Sequence, residues 1–413
     1  MLRRLGIWVV LCMIPSVLCT AQLVTHIEHP NVKTLLIRPV GEEPSNPASS
    51  LFEISFDELS HDAHLYSYTV THLNANLEPS ELVSSEYLEG YTTGDITDYD
   101  HSLSTNVLYT HYRFLFPNED MRITRPGLYA LTIYEDGDPT NVVAVATLTV
   151  LGHSQATVSG TVTSHTALEF NGRYQQLDLE LKVDPATRSE DYFIVVRQND
   201  RYDNLVYAPQ PTYREPNCLR WVNCRNLIFE GGNEYRRFDI YSTYYAGVGV
   251  DRIRYGQGDY YVTLDFDAMR NKGVYTHQYD SNGGRVINAE RCSDPDYEAE
   301  YMYVHFEYPS THFPSPSSSL YIGGSLFYNR LTSENRLLYD PENECYWLDA
   351  LVKQGGADYQ YWCVSDRGEV SVEPTEGSYW QTENDYTVYV YYRPFGARCD
   401  ELVSIQHLSS IKD

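Results

Sequence analysis

Histidine, carboxylate and thiol side chains, which carry much of enzyme chemistry, form no recognisable catalytic set in this sequence. The 413 residues contain no G-x-S-x-G nucleophile elbow, no H-E-x-x-H zinc motif, no G-x-x-x-x-G-K-[ST] phosphate loop and no glycine-rich dinucleotide fingerprint. His61 and His64 are the nearest approach to a metal-ligand pair, but no third ligand is evident, and solvated loop histidines are the better interpretation. We therefore expect no catalytic residue, no metal site and no cofactor.

Two further patterns have simple structural interpretations. The letters DSNGG at 280–284 resemble part of a calcium loop, but the distal glutamate is missing at the required spacing, and we expect a tight Asn-Gly turn instead. Carboxylate pairs suited to glycoside cleavage occur at many spacings among 57 acidic residues, so they carry no information. A hydrolase is accordingly the least favoured functional class.

The N terminus has the pattern of a secretory signal peptide covering residues 1–21. Two arginines precede an apolar segment at 7–18, and small residues precede a cut ahead of Gln22. The apolar segment is too short to span a membrane, and no later segment has the roughly 18 consecutive apolar residues that a transmembrane helix needs. We therefore expect an exported chain.

Charge and aromatic content narrow the choice of partner. The chain has 57 acidic and 30 basic residues and a formal net charge of −27, so its surface repels the phosphates of nucleic acids and anionic lipid headgroups. We expect no nucleic-acid ligand and no direct membrane insertion. The 38 tyrosines favour β-strands first and a contact surface second, because tyrosine combines an apolar body with a polar tip.

Six of the eight cysteines lie beyond the predicted signal peptide. Export permits disulfides, but six thiols allow fifteen pairings, so the sequence does not decide between them. Cys345 and Cys363 lie on two predicted strands that fold back through Gln354-Gly355-Gly356, and Cys218 and Cys224 flank a short turn. We predict these two bridges as a hypothesis. A zinc site has less support, because no C-x-x-C pair occurs.

The segment 110–135, THYRFLFPNEDMRITRPGLYALTIYE, shows how the chain is built. Hydrophobic and polar residues alternate from 110 to 116, which is the period of a strand with one buried face, and this strand stops at Pro117-Asn118. Pro126 fits a second turn, and the spacing of Gly127 and Tyr129 is typical of the tyrosine corner in immunoglobulin-like sandwiches. We therefore predict a Greek-key β-sandwich that ends near residue 150.

Strand-like segments separated by turn residues continue to the C terminus, while helical periodicity is almost absent. Only 80–89 could hold a short helix, with Ser80 as its cap. The Pro/Ser-rich run THFPSPSSS cannot continue a sheet and therefore predicts a linker. The predicted fold class is all-β, with tandem immunoglobulin-like or early-set β-sandwich domains. The predicted boundaries are a signal peptide at 1–21, an N-terminal β-sandwich at 22–150, a middle all-β domain at 151–308, the linker at 309–319 and a C-terminal early-set-like β-sandwich at 320–413.

Long motifs in all three predicted domains carry a family resemblance. The first domain contributes SFDELS (55–60), YSYTVTHLNANLEPSEL (66–82), EYLEGY (86–91) and YTHYRFLFPNEDMRITRPGLY (109–129). The later motifs are RYDN (201–204), FEGGNEYRRFD (229–239), DPDYEAEYMYVHF (294–306), VKQGGADYQY (352–361) and TENDYTVYVYYRPFGARCDEL (382–402). In these segments the chain resembles the plug proteins of the type IX secretion system of Bacteroidota.

This resemblance implies a non-enzymatic protein of the periplasm. Plug proteins of this family dock on the periplasmic opening of the outer-membrane β-barrel translocon called SprA or Sov, and they seal the channel when no cargo is engaged. By this resemblance we expect that barrel as the partner. The candidate contact is the turn PNEDMR at 117–122. Its residues Asn118, Glu119, Asp120 and Arg122 either face the translocon or act internally, with Asn118 or Asp120 capping the turn and Arg122 pairing with an acid.

The alternative function is a glycan-binding β-sandwich module of an exported polysaccharide system. The segments GGSLFYNRL and YWLDALVKQGGADYQYWCVSD are similar to early-set sandwiches found beside glycan-active enzymes, and some of those sandwiches bind glycans through tryptophans. Trp347, Trp362 and Trp380 are available for such a role. The sequence leaves this alternative open.

Overall fold

Alternating strand patterns along the chain form antiparallel sheets in the computed structural model, which confirms the all-β class and the β-sandwich prediction. The predicted signal peptide and most of the predicted linker lie outside the residues that the structure describes. These described residues are 23–41, 51–153, 156–164, 172–310 and 318–410.

The first unit is a β-sandwich of short strands. Its strands are β1 (His26–Ile27), β2 (Val32–Val40), β3 (Leu51–Glu58), β4 (Tyr66–Leu73), β5 (Leu88–Gly90), β6 (Thr93–Ile96), β7 (Asp98–His101), β8 (Thr110–Phe116), β9 (Met121–Ile123), β10 (Gly127–Glu135) and β11 (Val142–Val150). One sheet has the order β1-β11-β10-β4-β6, the other has the order β2-β3-β8-β7, and β5 pairs with β9. Phe56, Tyr112 and Leu131 are buried between the two sheets. The predicted tyrosine corner is confirmed, because the Tyr129 hydroxyl donates to the Arg125 carbonyl over 2.7 Å.

The second unit begins with a new set of strands and shares an apolar interface with the first. Its first strands are β12 (Thr157–Thr163), β13 (Tyr174–Lys182), β14 (Tyr192–Gln198), β15 (Val206–Tyr207), β16 (Tyr213–Glu215), β17 (Cys218–Trp221) and β18 (Ile228–Glu230). Leu128 and Val145 of the first unit join one buried cluster with Val195, Tyr389 and Leu402 of the second. This burial removes apolar surface of both units from water and so stabilises their contact.

The third unit contains the remaining central strands and two single-turn helices. They are β19 (Arg236–Asp239), β20 (Val250–Gly256), β21 (Asp259–Leu264), β22 (Arg285–Ile287), β23 (Tyr301–Pro309), β24 (Ser319–Gly323), β25 (Leu338–Asp340), β26 (Cys345–Lys353), β27 (Gly355–Val364), β28 (Val370–Ser371), α1 (Pro295–Glu298) and α2 (Glu373–Glu376). One sheet has the order β20-β21-β23-β26-β25, and in the other β27 pairs with β19, β22, β24 and β28.

The chain returns to the second unit at its C-terminal end. The last strands, β29 (Asp385–Tyr392) and β30 (Glu401–Ser409), form a sheet of order β15-β14-β29-β30. Tyr386, Val388 and Val390 are buried in the same core as Leu177 and Ile194. Strands from the predicted middle and C-terminal domains therefore share one hydrophobic core.

Hydrogen bonding thus divides the chain differently from the boundaries predicted at 151–308 and 320–413. Strand β23, which precedes the predicted linker, pairs with β26, which follows it. The composition of the linker shows only that this segment cannot continue a strand. It does not show which distant strands pair, because strand pairing depends on packing between segments far apart in sequence.

Two local predictions have different outcomes. The predicted helix at 80–89 is reduced to a 3₁₀ turn at Ser84–Glu86, in which the Glu86 carboxylate accepts a hydrogen bond from the Val83 backbone over 3.0 Å. The chain then enters β5. The predicted Asn-Gly turn is confirmed, since Asn282 and Gly283 have φ angles of 51° and 85° and the Gly284 N–H bonds the Ser281 carbonyl.

Candidate functional site

The turn at 117–122 is organised by Asn118. Its Oδ1 accepts hydrogen bonds from the backbone N–H groups of Asp120 (3.1 Å) and Met121 (2.9 Å), and its Nδ2 donates to the Tyr68 hydroxyl over 2.7 Å. Met121 is fully buried beneath the turn. Asn118 therefore has the internal, capping role that was one of its two predicted alternatives.

The other candidate residues of this turn point outward. Glu119, Asp120 and Arg122 are exposed, and Arg122 forms no ion pair among the residues that the structure describes. The backbone beneath them is tightly held, because the Asp120 carbonyl accepts the Tyr91 N–H over 2.8 Å. Gly90 passes this carbonyl with φ of 104°, where any side chain would collide with it. The charges are therefore displayed from a rigid base.

Apolar side chains lie beside these charges. Tyr91, which directly follows β5, is 68% exposed, and Leu115 of β8 is 47% exposed. Glu89 lies directly opposite Arg122 in the β5–β9 pair. We call this group the hairpin patch. The hairpin patch consists of Glu89, Tyr91, Leu115, Glu119, Asp120 and Arg122.

Tyrosines divide between the core and the surface, as the sequence-based interpretation allowed. Many are buried in sheets, while Tyr244 (78% exposed), Tyr245 (67%) and Tyr279 (88%) extend into solvent from the third unit. Exposed tyrosines favour protein contacts, because they offer apolar area with few rotatable bonds. The hairpin patch and these loops are therefore among the aromatic parts of the exposed surface.

A buried charged cluster joins the first unit to the third. The Lys353 ammonium donates to Asp57 Oδ2 over 2.6 Å, and Asp57 Oδ1 contacts His111 Nδ1 at 2.7 Å. The Tyr301 hydroxyl also donates to Asp57 Oδ2 over 2.6 Å, and the ammonium lies 4.3 Å from the centre of the Tyr109 ring. All five side chains are almost completely excluded from solvent. We call them the Asp57–Lys353 cluster.

The charges of this cluster are balanced within the chain. Burial opposes ionisation of Asp57, but Lys353 and His111 outweigh it and hold the pKa of the Asp57 carboxyl below its usual range. A charge that is buried without a partner costs several kcal/mol, so each member depends on the others. The cluster resembles a catalytic set in its residue types, yet its burial indicates a structural role in joining two units.

Segment 294–301 supplies further contacts across the same junction. Arg38 of the first unit forms two parallel hydrogen bonds of 2.8 Å with Asp296. The Glu300 carboxylate accepts the backbone N–H groups of Asn106 (2.5 Å) and Val107 (3.1 Å). Two-pronged and charge-assisted hydrogen bonds of this kind fix orientation as well as distance. The first and third units are therefore locked in one relative position.

A second buried ion cluster stabilises the third unit itself. Glu376 accepts hydrogen bonds from Arg236 (3.1 and 3.0 Å), from Arg270 (2.9 Å) and from the Tyr361 backbone (3.0 Å). Burial opposes ionisation of Glu376, but the two arginines lower its pKa to about 2. Asp267 accepts a further hydrogen bond from Arg236 over 2.8 Å.

The two predicted disulfide bridges are not formed in this structure. All six cysteines beyond the predicted signal peptide are free thiols. Strands β26 and β27 fold back on each other but belong to opposite sheets, so Cys345 lies across from Pro309 while Cys363 lies across from Leu320. Cys218 is buried within β17, and Cys224 follows it in a separate turn near Gln210.

The histidines and tryptophans that the sequence singled out have separate surroundings. His61 contacts Ser102 at 2.9 Å, and His64 contacts Glu58 at 2.5 Å. Trp362 is fully buried with the Arg201 guanidinium 4.4 Å from its ring centre, whereas Trp380 is 44% exposed. The three tryptophans named for glycan binding therefore do not form one exposed face. None of the described helices is both long and apolar enough to cross a membrane.

Comparisons with known proteins agree with this architecture. Residues 32–152 match the family model described as the type 9 secretion system plug protein 1st domain. A crystal structure of a hypothetical protein from Parabacteroides merdae ATCC 43184 is similar over 94% of this chain and 99% of that chain, with 34% identity and a TM-score of 0.87. The BSP domain of a biofilm-associated protein aligns with 8% identity over 94% of this chain and 60% of that chain, but its TM-score of 0.19 carries no argument.

A comparison with curated proteins gives no match. The family match covers the unit that carries the hairpin patch, and it agrees with the resemblance carried by the sequence motifs. The protein therefore belongs to the plug protein family of the type IX secretion system and has a secretion-related role in the cell envelope.

Proposed function

We propose that this protein is a non-enzymatic periplasmic plug, which binds the periplasmic opening of the outer-membrane type IX translocon barrel (SprA/Sov) and seals the channel when no cargo is engaged. The observation that carries this proposal is the family match of residues 32–152. The matched unit presents the hairpin patch on a rigid turn, and the other two units are attached to it by buried contacts.

Rigid attachment suits a protein that must block a wide opening. A stopper whose parts moved independently would lose conformational entropy on binding and would leave gaps. The Asp57–Lys353 cluster and the Arg38–Asp296 pair hold the third unit against the first. The apolar cluster that contains Leu128 and Leu402 holds the second unit there as well. The three units therefore act as one preformed body.

The hairpin patch is the contact that we assign to the barrel rim. Its central tyrosine, Tyr91, can bury an aromatic ring in the partner, and its surrounding charges can select the partner and fix orientation. Glu119 and Asp120 need no partner within the chain, because Asn118 already holds the turn. Their side chains are therefore free to meet a basic surface.

The experiment is copurification of the tagged mature chain with the outer-membrane barrel. We expect Glu119→Lys/Asp120→Lys to lower recovery of the barrel at least tenfold while changing the free energy of unfolding by less than about 0.5 kcal/mol, since both side chains are exposed. The matched control is Glu342→Lys/Asp366→Lys, which makes the same charge change at exposed sites on the third unit. Tyr91→Ser tests the aromatic contact.

Full recovery of the barrel by both hairpin variants would rule out the hairpin patch as the contact. Failure of the unaltered chain to recover the barrel would contradict the plug function itself. The glycan alternative predicts binding of the mature chain to a glycan panel, with loss on Trp380→Ala. We expect no such binding, because Trp362 is enclosed within the protein.

A further inference from the structure

A half-open pocket lies where the first and third units meet. Its volume is about 270 Å³. Its apolar wall comes mainly from Ile287, Leu326 and Phe327 of the third unit, and its polar wall includes Lys33 of the first. A space of this size accepts a small organic group rather than a single ion or water.

Two arginines in the pocket wall lack a carboxylate partner. Arg285 donates to the Leu35 carbonyl over 2.7 Å and lies 5.1 Å from the centre of the Tyr328 ring, but it forms no ion pair among the described residues. The Nη1 of Arg330 is fully buried and has no hydrogen-bond partner within the described parts of the chain. Burial lowers the pKa of the Arg330 guanidinium, and the charge of nearby Glu28, which acts in the opposite direction, does not outweigh this effect.

The carboxylates around the pocket are already engaged elsewhere. Glu334 pairs with Lys33 at 3.2 Å, and Asp349 contacts His305 at 2.7 Å. Glu28, which lies near Arg330, contacts His26 at 2.9 Å. In a chain with 57 acidic and 30 basic residues, a pocket with two guanidinium groups that form no ion pair among the described residues is the reverse of the overall charge balance.

The pocket wall also contains unfavourable backbone conformations. Tyr328 and Asn329 have φ angles of 57° and 52°, and Thr34 on the facing wall has φ of 51°. The left-handed region is costly for a branched or bulky residue and persists only where the surrounding structure enforces it. The Tyr328 hydroxyl accepts the Leu35 N–H over 2.9 Å, which ties the two walls together.

We propose that this pocket binds an organic carboxylate that carries an apolar group, as at the C terminus of a peptide ending in an apolar residue. A guanidinium presents two parallel N–H donors that match a carboxylate, and the Nη1 of Arg330 forms no hydrogen bond with any described residue. The apolar wall then receives the side chain next to the carboxylate. The site is separate from the hairpin patch, so it does not rest on the proposed plug function.

The test is calorimetric titration of the full mature chain with N-acetyl-leucine, with N-acetyl-leucinamide, with the peptide acetyl-Ala-Ala-Leu and with inorganic phosphate. We expect both free acids to bind, the amide to bind at least tenfold more weakly, and phosphate to bind more weakly than the acids. Equal binding of acid and amide would overturn the proposal. Loss of binding by the longer peptide would exclude a peptide terminus as the ligand.

Variants locate the binding in the pocket. Arg330→Gln should weaken binding of N-acetyl-leucine at least tenfold, and Arg330→Lys, which keeps the charge but loses the two-pronged donor, should weaken it less. The control Arg252→Gln removes an exposed positive charge outside the pocket and should leave binding unchanged. Unchanged affinity in Arg330→Gln, or an equal loss in the control, would contradict the assignment. If Arg330→Gln fails to fold, the same comparison is decided by Arg330→Lys.

Discussion

Lys353 and Arg330 both lie where the first and third units meet, yet only Lys353 is paired with a carboxylate of a described residue. Lys353 is fully buried and lies 2.6 Å from the Asp57 carboxylate. Arg330 is half-buried and has no carboxylate partner among the described residues. The difference separates two roles. A buried charge that is paired within the chain joins units together, whereas an unpaired one in an open pocket is available to a ligand.

The largest expected effect on stability comes from removing the paired cation, Lys353. Lys353→Met should lower the free energy of unfolding by about 3–5 kcal/mol, because it leaves the Asp57 carboxylate buried without its partner. Urea unfolding followed by fluorescence measures this loss. The double variant Asp57→Asn/Lys353→Met should recover more than half of it. Equal instability of the single and double variants would show that the pair is not coupled.

The next effect concerns Glu376, a paired carboxylate whose pKa is lowered to about 2 from an ordinary value of 4.5. Glu376→Gln should cost about 3 kcal/mol at pH 7, following 1.36 kcal/mol per unit of pKa. Because the folded pKa is lowered, this contribution is present above pH 4.5 and is lost as pH falls towards 2. Unfolding midpoints of both proteins should therefore converge on acidification. A difference that is constant with pH would contradict this explanation.

Asp358 is a buried carboxylate that, unlike Glu376, forms no ion pair with any described residue. Its contribution to stability should therefore depend on pH in the opposite direction. Burial raises the pKa of its carboxyl from 3.8 to about 6, although the Ser281 backbone donates a hydrogen bond to it. Its contribution to stability is therefore lost as pH rises from about 4 to 6. Asp358→Asn should raise the free energy of unfolding at pH 7 by about 1–3 kcal/mol and should have little effect at pH 4. Destabilisation at pH 7 would show that the charged form is needed.

The smallest effect is predicted for Arg330. Arg330→Met should change the free energy of unfolding by less than about 1 kcal/mol, because no buried acid loses a partner. Thermal unfolding of this variant beside Lys353→Met measures the contrast directly. A loss as large as that of Lys353→Met would mean that Arg330 also joins the units, and the distinction between the two cations would fail.

Local features of the fold could be predicted from the sequence, and distant pairings could not. Asn118 and the Tyr129 corner depend on neighbours within four residues, so turn chemistry predicts them. The bond from Lys353 to Asp57 spans 296 positions, and nothing in either strand indicates its partner. The available signal was the presence of charged residues inside two otherwise strand-like segments, SFDELS and VKQGGADYQY.

The same limit applies to the domain boundaries and to the candidate sites. Strand β29 pairs with β14, and this pairing brings residues 192–198 and 385–392 together around one core. A search for spacing along the sequence cannot reveal this, because each strand alone has a period compatible with many partners. The role of Arg330 was also missed, because the sequence does not show that its guanidinium forms no ion pair with any described residue.

We propose above that the three locked units close the translocon opening. The most direct test of this proposal is uptake of a normally excluded dye or antibiotic by cells that lack the gene, compared with cells carrying the unaltered gene or the Glu119→Lys/Asp120→Lys variant at equal protein levels. We expect increased uptake in the first and third strains and none in the second. Uptake that is the same in all three strains would contradict the proposal.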